Sequence, residues 1–318
     1  MLKLDAWKLA SPVLREQRRR NPSTLPDNIQ NLYIWYTFYK RKYYIMIWPF
    51  KPSTRKQIAR IEINGAIASG TREKVLKALE EVQEKKYPVL LLRIDSPGGT
   101  VADSHEIYCA LKRLQDKKIK VIASFGNISA SGGVYISAGA THIVSNPGTI
   151  TGSVGVIIRG NNLEKLLDKV GVSFQVIKSG PYKDILSFDR QLSPEEEGIL
   201  QNLIDSSYEQ FVKIIAQNRN LTVEKVKEFA DGRIFTGEQA LELGMVDRLG
   251  TEEDARLWAC ELVGLDPDKT ECHTIEEPKS LVDRVLNRSQ TKSKISTAIN
   301  WLEFELATNG QPLWLYRT

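Results

Sequence analysis

The stretch Val89–Ile94, with the sequence VLLLRI, constrains the fold most strongly, because it is short and almost continuously apolar. Such a run is typical of a β-strand that is buried on both faces, as strands in parallel sheets are. Ala59–Ile63 alternates apolar and polar residues like a half-buried strand, and Arg72–Lys86, between the two, carries its apolar residues on one helical face. Strands and helices that alternate in this way predict an α/β domain.

The same alternation continues along the chain. Ser193 begins the sequence SPEE, a capping box with proline at the first helical position, which predicts a long helix to about Asn218. A second helix start is indicated at Thr236 by the sequence TGEQ. Further predicted elements are a helix over about 102–115 and strands over Lys120–Phe125, Val154–Ile158, Val172–Lys178 and Val246–Leu249.

The charge of the chain is unevenly distributed. Residues 1–56 carry 12 Lys and Arg against 3 Asp and Glu, whereas the remaining residues carry 32 against 36. The net charge is therefore +9 for this extension and −4 for the rest, which gives +5 for the whole chain. Because no basic stripe runs through the main part of the chain, we expect no binding to nucleic acid.

The extension contains two apolar-aromatic runs, Leu32–Tyr39 and Tyr43–Phe50, which are separated by the basic Lys40–Lys42. Neither run approaches the roughly 20 apolar residues that span a bilayer, and no small-residue cleavage site of a signal peptide follows them. The mixture of Trp, Tyr, Lys and Arg suits a membrane interface. Alternatives are an aromatic arm packed on the protein, or a non-native stretch upstream of a start at Met46. We expect a peripheral membrane protein or a cytoplasmic one.

The three cysteines, Cys109, Cys260 and Cys272, are far apart and form no C-x-x-C pair. This spacing predicts neither a disulfide framework nor a zinc site, and reduced thiols fit an intracellular setting. Walker spacing and the G-x-G-x-x-G pattern of nucleotide-binding loops are both absent from the sequence. We therefore expect the protein to need no metal and no organic cofactor.

Two glycine-containing loops, Asp95–Thr100 (DSPGGT) and Asn127–Gly133 (NISASGG), each follow a predicted buried strand. Strand ends that lead into helices are where α/β sheets place ligands. Glycines at such positions let main-chain N–H groups approach a bound atom, which makes Ser131 a candidate nucleophile beside an oxyanion hole. Taken alone, each loop is more typical of an ordinary turn.

A serine nucleophile needs a base. A Ser-His-Asp triad through His105 or His142 stays open, although a core or surface histidine is the simpler interpretation of these two and of His273. A lysine can also act as the base where burial lowers its pKa, because the neutral amine then accepts the serine proton. Lowering a lysine pKa from about 10.4 towards 7–8 costs roughly 3–5 kcal/mol, so that lysine needs a pocket built for it.

Four linked motifs resemble those of signal peptide peptidase A, in the protease IV family. They are IDSPGG at Ile94–Gly99, SASGGVY at Ser129–Tyr135, TITGSVGV at Thr149–Val156 and KSGPYKD at Lys178–Asp184. Two later stretches, Gly232–Gly237 and Ala240–Asp247, fit the family as well. The resemblance runs from about Ile58 to Leu265 in the same order without a large gap, and it is to the short, single-domain, cyanobacterial or plastid-like form.

The resemblance implies a role for five residues. Ser131 matches the nucleophile of the family and Lys183 its general base, and Ser153 matches a serine that helps to orient the lysine amine. Gly99 and Gly132 match the loops whose main-chain N–H groups form the oxyanion hole. The resemblance also implies the Clp-protease/crotonase fold, a spiral of ββα units, and a homo-oligomeric ring in which neighbouring subunits supply the serine and the lysine.

The sequence therefore predicts a serine endopeptidase with a Ser/Lys dyad, which cleaves remnant signal peptides or other membrane-proximal peptides through an acyl-enzyme. We divide the chain into the extension at 1–56, a catalytic domain at 57–265 and a tail at 266–318. In the tail, Trp301–Leu306 and Pro312–Tyr316 are candidates for docking. Two alternatives are kept: an acyl-CoA hydratase or isomerase on the same superfold, although neither loop contains a glutamate, and an inactive membrane-associated scaffold.

Overall fold

The computed structural model describes residues 54–275 and 311–316. The strands are β1 (Ile58–Asn64), β2 (Val89–Ser96), β3 (Gly98–Thr100), β4 (Lys120–Ala130), β5 (His142–Ser145), β6 (Ile150–Gly152), β7 (Ile234–Thr236), β8 (Arg248–Leu249), β9 (Cys272–Thr274) and β10 (Leu313–Leu315). The helices are α1 (Ser69–Glu84), α2 (Val101–Asp116), α3 (Gly132–Ser137), α4 (Glu164–Val170), α5 (Pro194–Arg219), α6 (Val223–Lys227), α7 (Gly237–Glu242) and α8 (Glu252–Val263).

A mostly parallel sheet forms the centre of the part of the chain that the structure describes. Its strand order is β7-β6-β4-β2-β1-β9, with β5 beside β4 and β8 beside β5, and its one antiparallel pair is β6 with β7. β4 is 11 residues long and pairs first with β5 and then, near its end, with β6. Because β2 and β4 are parallel neighbours, the two glycine loops that follow them meet at the same edge of the sheet.

Helices cover both faces of this sheet. Residues such as Leu90 and Leu92 of β2 face α1, α2 and α5 in the larger hydrophobic core. Val89 and Leu91 face α8 in a second core on the opposite side, where Trp258 contributes the largest side chain. β2 is thus buried on both faces, as its apolar run predicted, and the predicted α/β fold is confirmed.

Most of the predicted elements are present. In α5, the Ser193 side chain accepts a hydrogen bond from the Glu196 main chain, and the Glu196 side chain accepts one in return, so the predicted capping box is confirmed.

The predicted strands at Val154–Ile158 and Val172–Lys178 are wrong for the single chain. The first makes only an isolated bridge at Ile157, and the second has no strand pairing. A strand needs a partner edge, and within the described part of the chain residues 172–178 pair with none.

The tail contributes strands at two places. β9 extends the main sheet by pairing with β1 in parallel, and β10 pairs with β3 in antiparallel. The predicted docking of Pro312–Tyr316 is therefore confirmed. The apolar runs of the extension and the segment Trp301–Leu306 lie outside the described residues.

Candidate active site

Ser131 lies at the turn from β4 into α3, at the edge where the two glycine loops meet. Its backbone has a φ of 52° and a ψ of −111°, which is a strained conformation for a residue with a side chain. The turn is fixed because the Ser131 N–H donates to the carbonyl of Gly152 at 2.8 Å, and the Ser131 carbonyl accepts from Tyr135 N–H at 2.9 Å. Ser131 is fully buried, and its Oγ has no hydrogen-bond partner among the described residues.

The two glycine loops touch each other beside Ser131, and their backbones approach too closely for any side chain. A Cβ atom on Gly99 would lie 1.9 Å from the carbonyl oxygen of Ile67, and one on Gly132 would lie 2.7 Å from Ser104 Oγ and 3.1 Å from the Gly99 nitrogen. The main-chain nitrogens of Gly99 and Gly132 therefore lie in one small region. Adjacent N–H donors at the start of a helix suit a developing negative charge.

Ser153 lies next to the residue that holds Ser131 in place. It comes immediately after Gly152, whose carbonyl holds Ser131, and it is buried. Its φ is 53°, and its N–H donates to the carbonyl of Arg233 at 2.7 Å. Ser153 is thus held rigidly near the candidate nucleophile.

Lys183 is not brought to Ser131. It lies on an exposed turn between α4 and α5, where its main-chain N–H donates to the carbonyl of Gly180 at 3.3 Å. Across residues 54–275 and 311–316, no hydrogen bond joins the Lys183 amine to Ser131 Oγ. One chain alone therefore presents a buried, unpaired serine at one place and an exposed lysine at another.

A cluster of charged residues fixes the turn that carries Lys183. The Arg190 guanidinium donates to both carboxylate oxygens of Asp184, at 2.9 and 3.1 Å, and to both of Glu196, at 2.5 and 2.7 Å. Lys178 Nζ donates to Asp184 at 2.6 Å. These bonds attach the residue next to Lys183 to the first turn of α5, so that the turn cannot shift independently of the helix.

Arg190 also keeps this cluster ionised. Hydrogen bonds from Arg190 hold the pKa of Glu196 at about 2 and that of Asp184 well below its usual range. A carboxyl group with a lowered pKa contributes its bond above its normal pKa and loses it only as the pH falls through the lowered value. The cluster is therefore intact at every pH above about 5.

The histidines take part in packing and do not approach the candidate nucleophile. His105 Nδ1 lies 2.7 Å from the Tyr135 hydroxyl, and His142 and His273 each stack on an aromatic ring. No hydrogen bond joins any of them to Ser131 within the described part of the chain. Neither arrangement of a Ser-His triad considered from the sequence is formed in the single chain.

The described residues contain neither a metal-binding cluster nor a membrane-spanning helix. No group of three or more His, Cys, Asp or Glu side chains there could hold a metal ion. Among the helices described in 54–275 and 311–316, none is long and apolar enough to cross a membrane. Burial raises the pKa of the Cys272 thiol to about 11, so this cysteine stays in its neutral form.

Sequence reasoning missed three residues that the structure places at or near this site. Trp314 and Tyr135, whose rings stack 3.9 Å apart, lie near the glycine loops, whereas Arg190 fixes the separate turn that carries Lys183. The signal for Trp314 was the apolar run 312–316 after a weakly patterned tail. Tyr135 lies four residues after Ser131, which on a helix places both on one face.

Comparison with known proteins gives a consistent result. The profile of peptidase family S49 matches residues 113–266. The chain is 71% identical over 278 residues to slr0021 of Synechocystis sp., which is named as a protease, and the match covers 86% of this chain and all of that protein. It is 39% identical to a protein of Enterococcus faecium named as signal peptide peptidase SppA, over 64% of this chain and 62% of that one.

More distant matches follow. The chloroplastic serine protease SPPA of Arabidopsis thaliana is 34% identical over 62% of this chain, which spans 31% of that protein. Among solved structures, a mutant of the 1510-N membrane-bound stomatin-specific protease matches with a TM-score of 0.48 and 19% identity, over 70% of this chain and 98% of that one. A mutant of ClpP1 from Listeria monocytogenes matches with a TM-score of 0.44 and 20% identity, over 64% and 94%.

Proposed function

Because the chain belongs to peptidase family S49 and is a serine peptidase, we propose that Ser131 is its nucleophile and that Lys183 of a second copy is the general base. The observation that carries this proposal is the state of Ser131. Its Oγ is buried and unpaired within the described residues, at a strained turn beside the main-chain nitrogens of Gly99 and Gly132. A hydroxyl without a hydrogen-bond partner is free to bond to a base and to attack a carbonyl carbon.

The proposed reaction has two steps. Ser131 Oγ attacks the scissile carbonyl carbon while Lys183 takes the hydroxyl proton, and the oxyanion accepts hydrogen bonds from the N–H groups of Gly99 and Gly132. Lys183 then gives the proton to the leaving amine as the peptide C–N bond breaks. In the second step the neutral Lys183 amine takes a proton from the water that attacks the acyl-enzyme, and it returns this proton to Ser131 Oγ as the ester bond breaks. Ser153, next to the carbonyl that holds Ser131, orients the lysine amine. A single oxyanion donor of this type contributes about 10²–10³-fold to the rate.

The exposure of Lys183 is the reason why we propose that the base comes from a second copy of the chain. A lysine amine serves as a general base only where it is withdrawn from water, because hydration favours its charged form. Lys183 is exposed in the single chain, so another surface must cover it. The resemblance to the family implies the same arrangement, in which neighbouring subunits share each active site.

The surface around Lys183 favours contact with a second copy. The segment 172–177 (VSFQVI) contains four large apolar residues and has no strand pairing, and Ile177 is 102% exposed and Phe174 52% exposed. Contiguous exposed apolar surface of this kind marks a protein interface. The exposed apolar side chains of this region are Leu163, Leu166, Val170, Val172, Phe174, Val176, Ile177, Tyr182 and Phe188. We therefore propose a homo-oligomer in which this region lies between protomers.

The substrate class rests on the relatives. The Enterococcus faecium relative is named as a signal peptide peptidase, and peptides with large apolar segments are the corresponding substrates proposed for this chain. The basic, aromatic-rich composition of residues 1–56 suits contact with a membrane surface, where such peptides are released. Remnant signal peptides and other membrane-proximal peptides are therefore the first substrates to assay.

An Ile177→Asp variant tests the proposed function and its assembly together. Wild type should elute as an oligomer and hydrolyse fluorogenic peptides, including signal-peptide sequences. Because Ile177 is fully exposed in one chain, aspartate removes no packing within the chain but opposes burial against a second copy. We expect light scattering to show that the variant is a monomer. Its melting temperature should equal that of monomeric wild type, and hydrolysis should be reduced at least about 10-fold.

The matched control is Leu257→Asp, which introduces the same charge at an exposed position on α8. It should leave both oligomeric state and hydrolysis unchanged. An assembled wild type that hydrolyses no peptide would show that the proposed function is wrong. A monomeric Ile177→Asp variant with full activity would show that Ser131 does not depend on a second copy.

Arg190→Gln should lower activity by loosening the turn that carries Lys183. The variant removes the four bonds from Arg190 to the carboxylate oxygens of Asp184 and Glu196, and misplacing a catalytic group by about 1 Å can cost about 10²-fold in rate. We expect kcat to fall by about 10-fold or more with KM nearly unchanged, and Arg190→Lys to recover part of the loss. Steady-state kinetics at several pH values measure this.

The size of the Arg190→Gln effect should not change between pH 6 and 9, because both carboxylates stay ionised throughout this range. Lys225→Gln is the control, since Lys225 pairs with Glu228 at an exposed position on α6. Its kinetics should match wild type. Equal kinetics for the Arg190→Gln variant and wild type would contradict a positioning role for Arg190.

A further inference from the structure

The short strand β3, which carries the proposed oxyanion donor Gly99, is held by the loop between β1 and α1. Ile67 in that loop forms a parallel bridge with Gly99. The Ile67 N–H donates to the Gly98 carbonyl at 2.8 Å, and the Ile67 carbonyl accepts from the Thr100 N–H at 2.9 Å. The residues on both sides of Gly99 are therefore fixed by main-chain hydrogen bonds, and the direction of the Gly99 N–H depends on them.

Thr100 is the N-cap residue of α2, but its hydroxyl does not cap the helix. Within the described residues this hydroxyl accepts no hydrogen bond from a helix N–H, and it donates instead to the Asp103 carboxylate. In a capping box, the side chain at the position of Asp103 would accept from the Thr100 N–H. That N–H donates to Ile67. Thr100 thus uses both of its donors to fix the end of β3.

A guanidinium from α1 holds the Asp103 carboxylate from its other side. Arg72 Nη1 donates to Asp103 Oδ1 at 3.0 Å, whereas the Thr100 hydroxyl donates to Oδ2. Glu73 and Glu106 also approach Arg72, at 3.5 and 3.6 Å, but their side chains are exposed, whereas that of Asp103 is only 11% exposed. A carboxylate withdrawn from water in this way needs its partners, because an uncompensated buried charge is costly.

Arg72, Asp103 and Thr100 therefore form a hydrogen-bonded network that runs from α1 to the residue after Gly99. Ile67, the main-chain support of β3, lies two residues before α1 begins. A hydrogen-bond donor lowers the barrier most when it already points at the position of the developing oxyanion. A shift of about 1 Å in such a group can cost about 10²-fold in rate.

We propose that Arg72, Asp103 and Thr100 are positioning residues that hold the Gly99 N–H in the direction of the oxyanion. They act through the main chain of β3. Their effect on hydrolysis rests on the proposed function, in which Gly99 is an oxyanion donor. Because the oxyanion exists only along the reaction and not in the bound substrate, loosening the network should lower kcat and leave KM unchanged.

The first test is Thr100→Val, which removes the hydroxyl and nearly keeps the shape of the side chain. We expect kcat for fluorogenic peptides to fall at least about tenfold, with KM within about twofold of wild type. Thr100→Ser keeps the hydroxyl and should recover most of the loss. Asp103→Asn, in which an amide nitrogen replaces one acceptor oxygen, should lower kcat as Thr100→Val does. The double variant should be no slower than the slower single variant, because the two residues share one hydrogen bond.

The matched control is Thr270→Val. Thr270 is similarly buried, and its hydroxyl donates to the Asp266 carbonyl at 2.7 Å, but it lies just before β9 and not at the glycine loops. Its kcat should stay within about twofold of that of wild type. A fall in melting temperature that both valine variants share cannot explain a loss of kcat that only Thr100→Val shows.

Hydrogen exchange of the full-length protein, measured by mass spectrometry, tests the network without turnover. Fragments that contain residues 97–101 should exchange at least about tenfold faster in Thr100→Val than in wild type, because local opening of β3 becomes easier. The same fragments should exchange at the wild-type rate in Thr270→Val and in Thr100→Ser.

Equal exchange of residues 97–101 in wild type and Thr100→Val would overturn the proposal. An unchanged kcat for Thr100→Val, or a Thr100→Ser variant as slow as Thr100→Val, would also overturn it. If exchange rises as expected but wild type hydrolyses no peptide, the network holds β3 as inferred and the proposed function fails.

Discussion

Ser131→Ala should abolish peptide hydrolysis while leaving the fold and the assembly unchanged. The substitution removes only the Oγ atom, which has no hydrogen-bond partner in the described part of the chain, so that no stabilising interaction is lost. Catalysis should fall by at least about 10³-fold, because the members of a nucleophile–base unit fail together when either is removed. Hydrolysis of fluorogenic peptides and the melting temperature are the two measurements.

The control for Ser131→Ala is Ser129→Ala. Ser129 is buried two residues upstream, and its Oγ also lacks a partner within the described residues. Its loss should leave hydrolysis within about twofold of wild type, since it removes no catalytic group. A fluorophosphonate should label wild type and Ser129→Ala, but not Ser131→Ala. Labelling of the Ser131→Ala variant, or its continued hydrolysis, would place the nucleophile elsewhere.

Lys183→Met should cause a loss as large as that of Ser131→Ala. Methionine keeps much of the apolar stem and removes the amine, and the exposed position of Lys183 means that the chain loses no internal contact. The double variant should be no less active than either single variant, because the two groups act in one step. Steady-state hydrolysis by the three assembled proteins measures this.

Lys213→Met is the control for the lysine. Lys213 is also exposed, on α5 and outside the region proposed to lie between protomers, and its replacement should leave hydrolysis unchanged. If Lys183→Met assembles normally and still hydrolyses peptides, the base is another group. His105, which lies 2.7 Å from the Tyr135 hydroxyl four residues after Ser131, would then be the next candidate.

The fold was largely predictable because its signals are local. The continuous apolar run of β2 and the capping box at Ser193 each depend on a few neighbouring residues, and both are present. The run Val172–Lys178 has the same apolar character as a strand but no strand pairing, because a strand also needs an edge from elsewhere. Sequence periodicity reports burial and does not say whether the partner belongs to the same chain.

The site was predictable in part, for a related reason. The meeting of the loops of Gly99 and Gly132 follows from parallel neighbouring strands, which a sequence indicates well. The stacking of Trp314 on Tyr135 joins residues that are far apart in the chain, and nothing local encodes such a contact. The approach of Lys183 to Ser131 requires, in our proposal, a second copy of the chain.

Mixing two inactive variants tests the central claim most directly. Ser131→Ala and Lys183→Met subunits are dissociated, combined in equal amounts and reassembled, and hydrolysis is compared with that of each variant treated alone. If neighbouring subunits share each site, random mixing should restore about one quarter of the wild-type activity, because heterologous contacts then pair an intact Ser131 with an intact Lys183. If native mass spectrometry shows mixed oligomers that stay as inactive as either variant alone, the shared Ser131–Lys183 site is wrong.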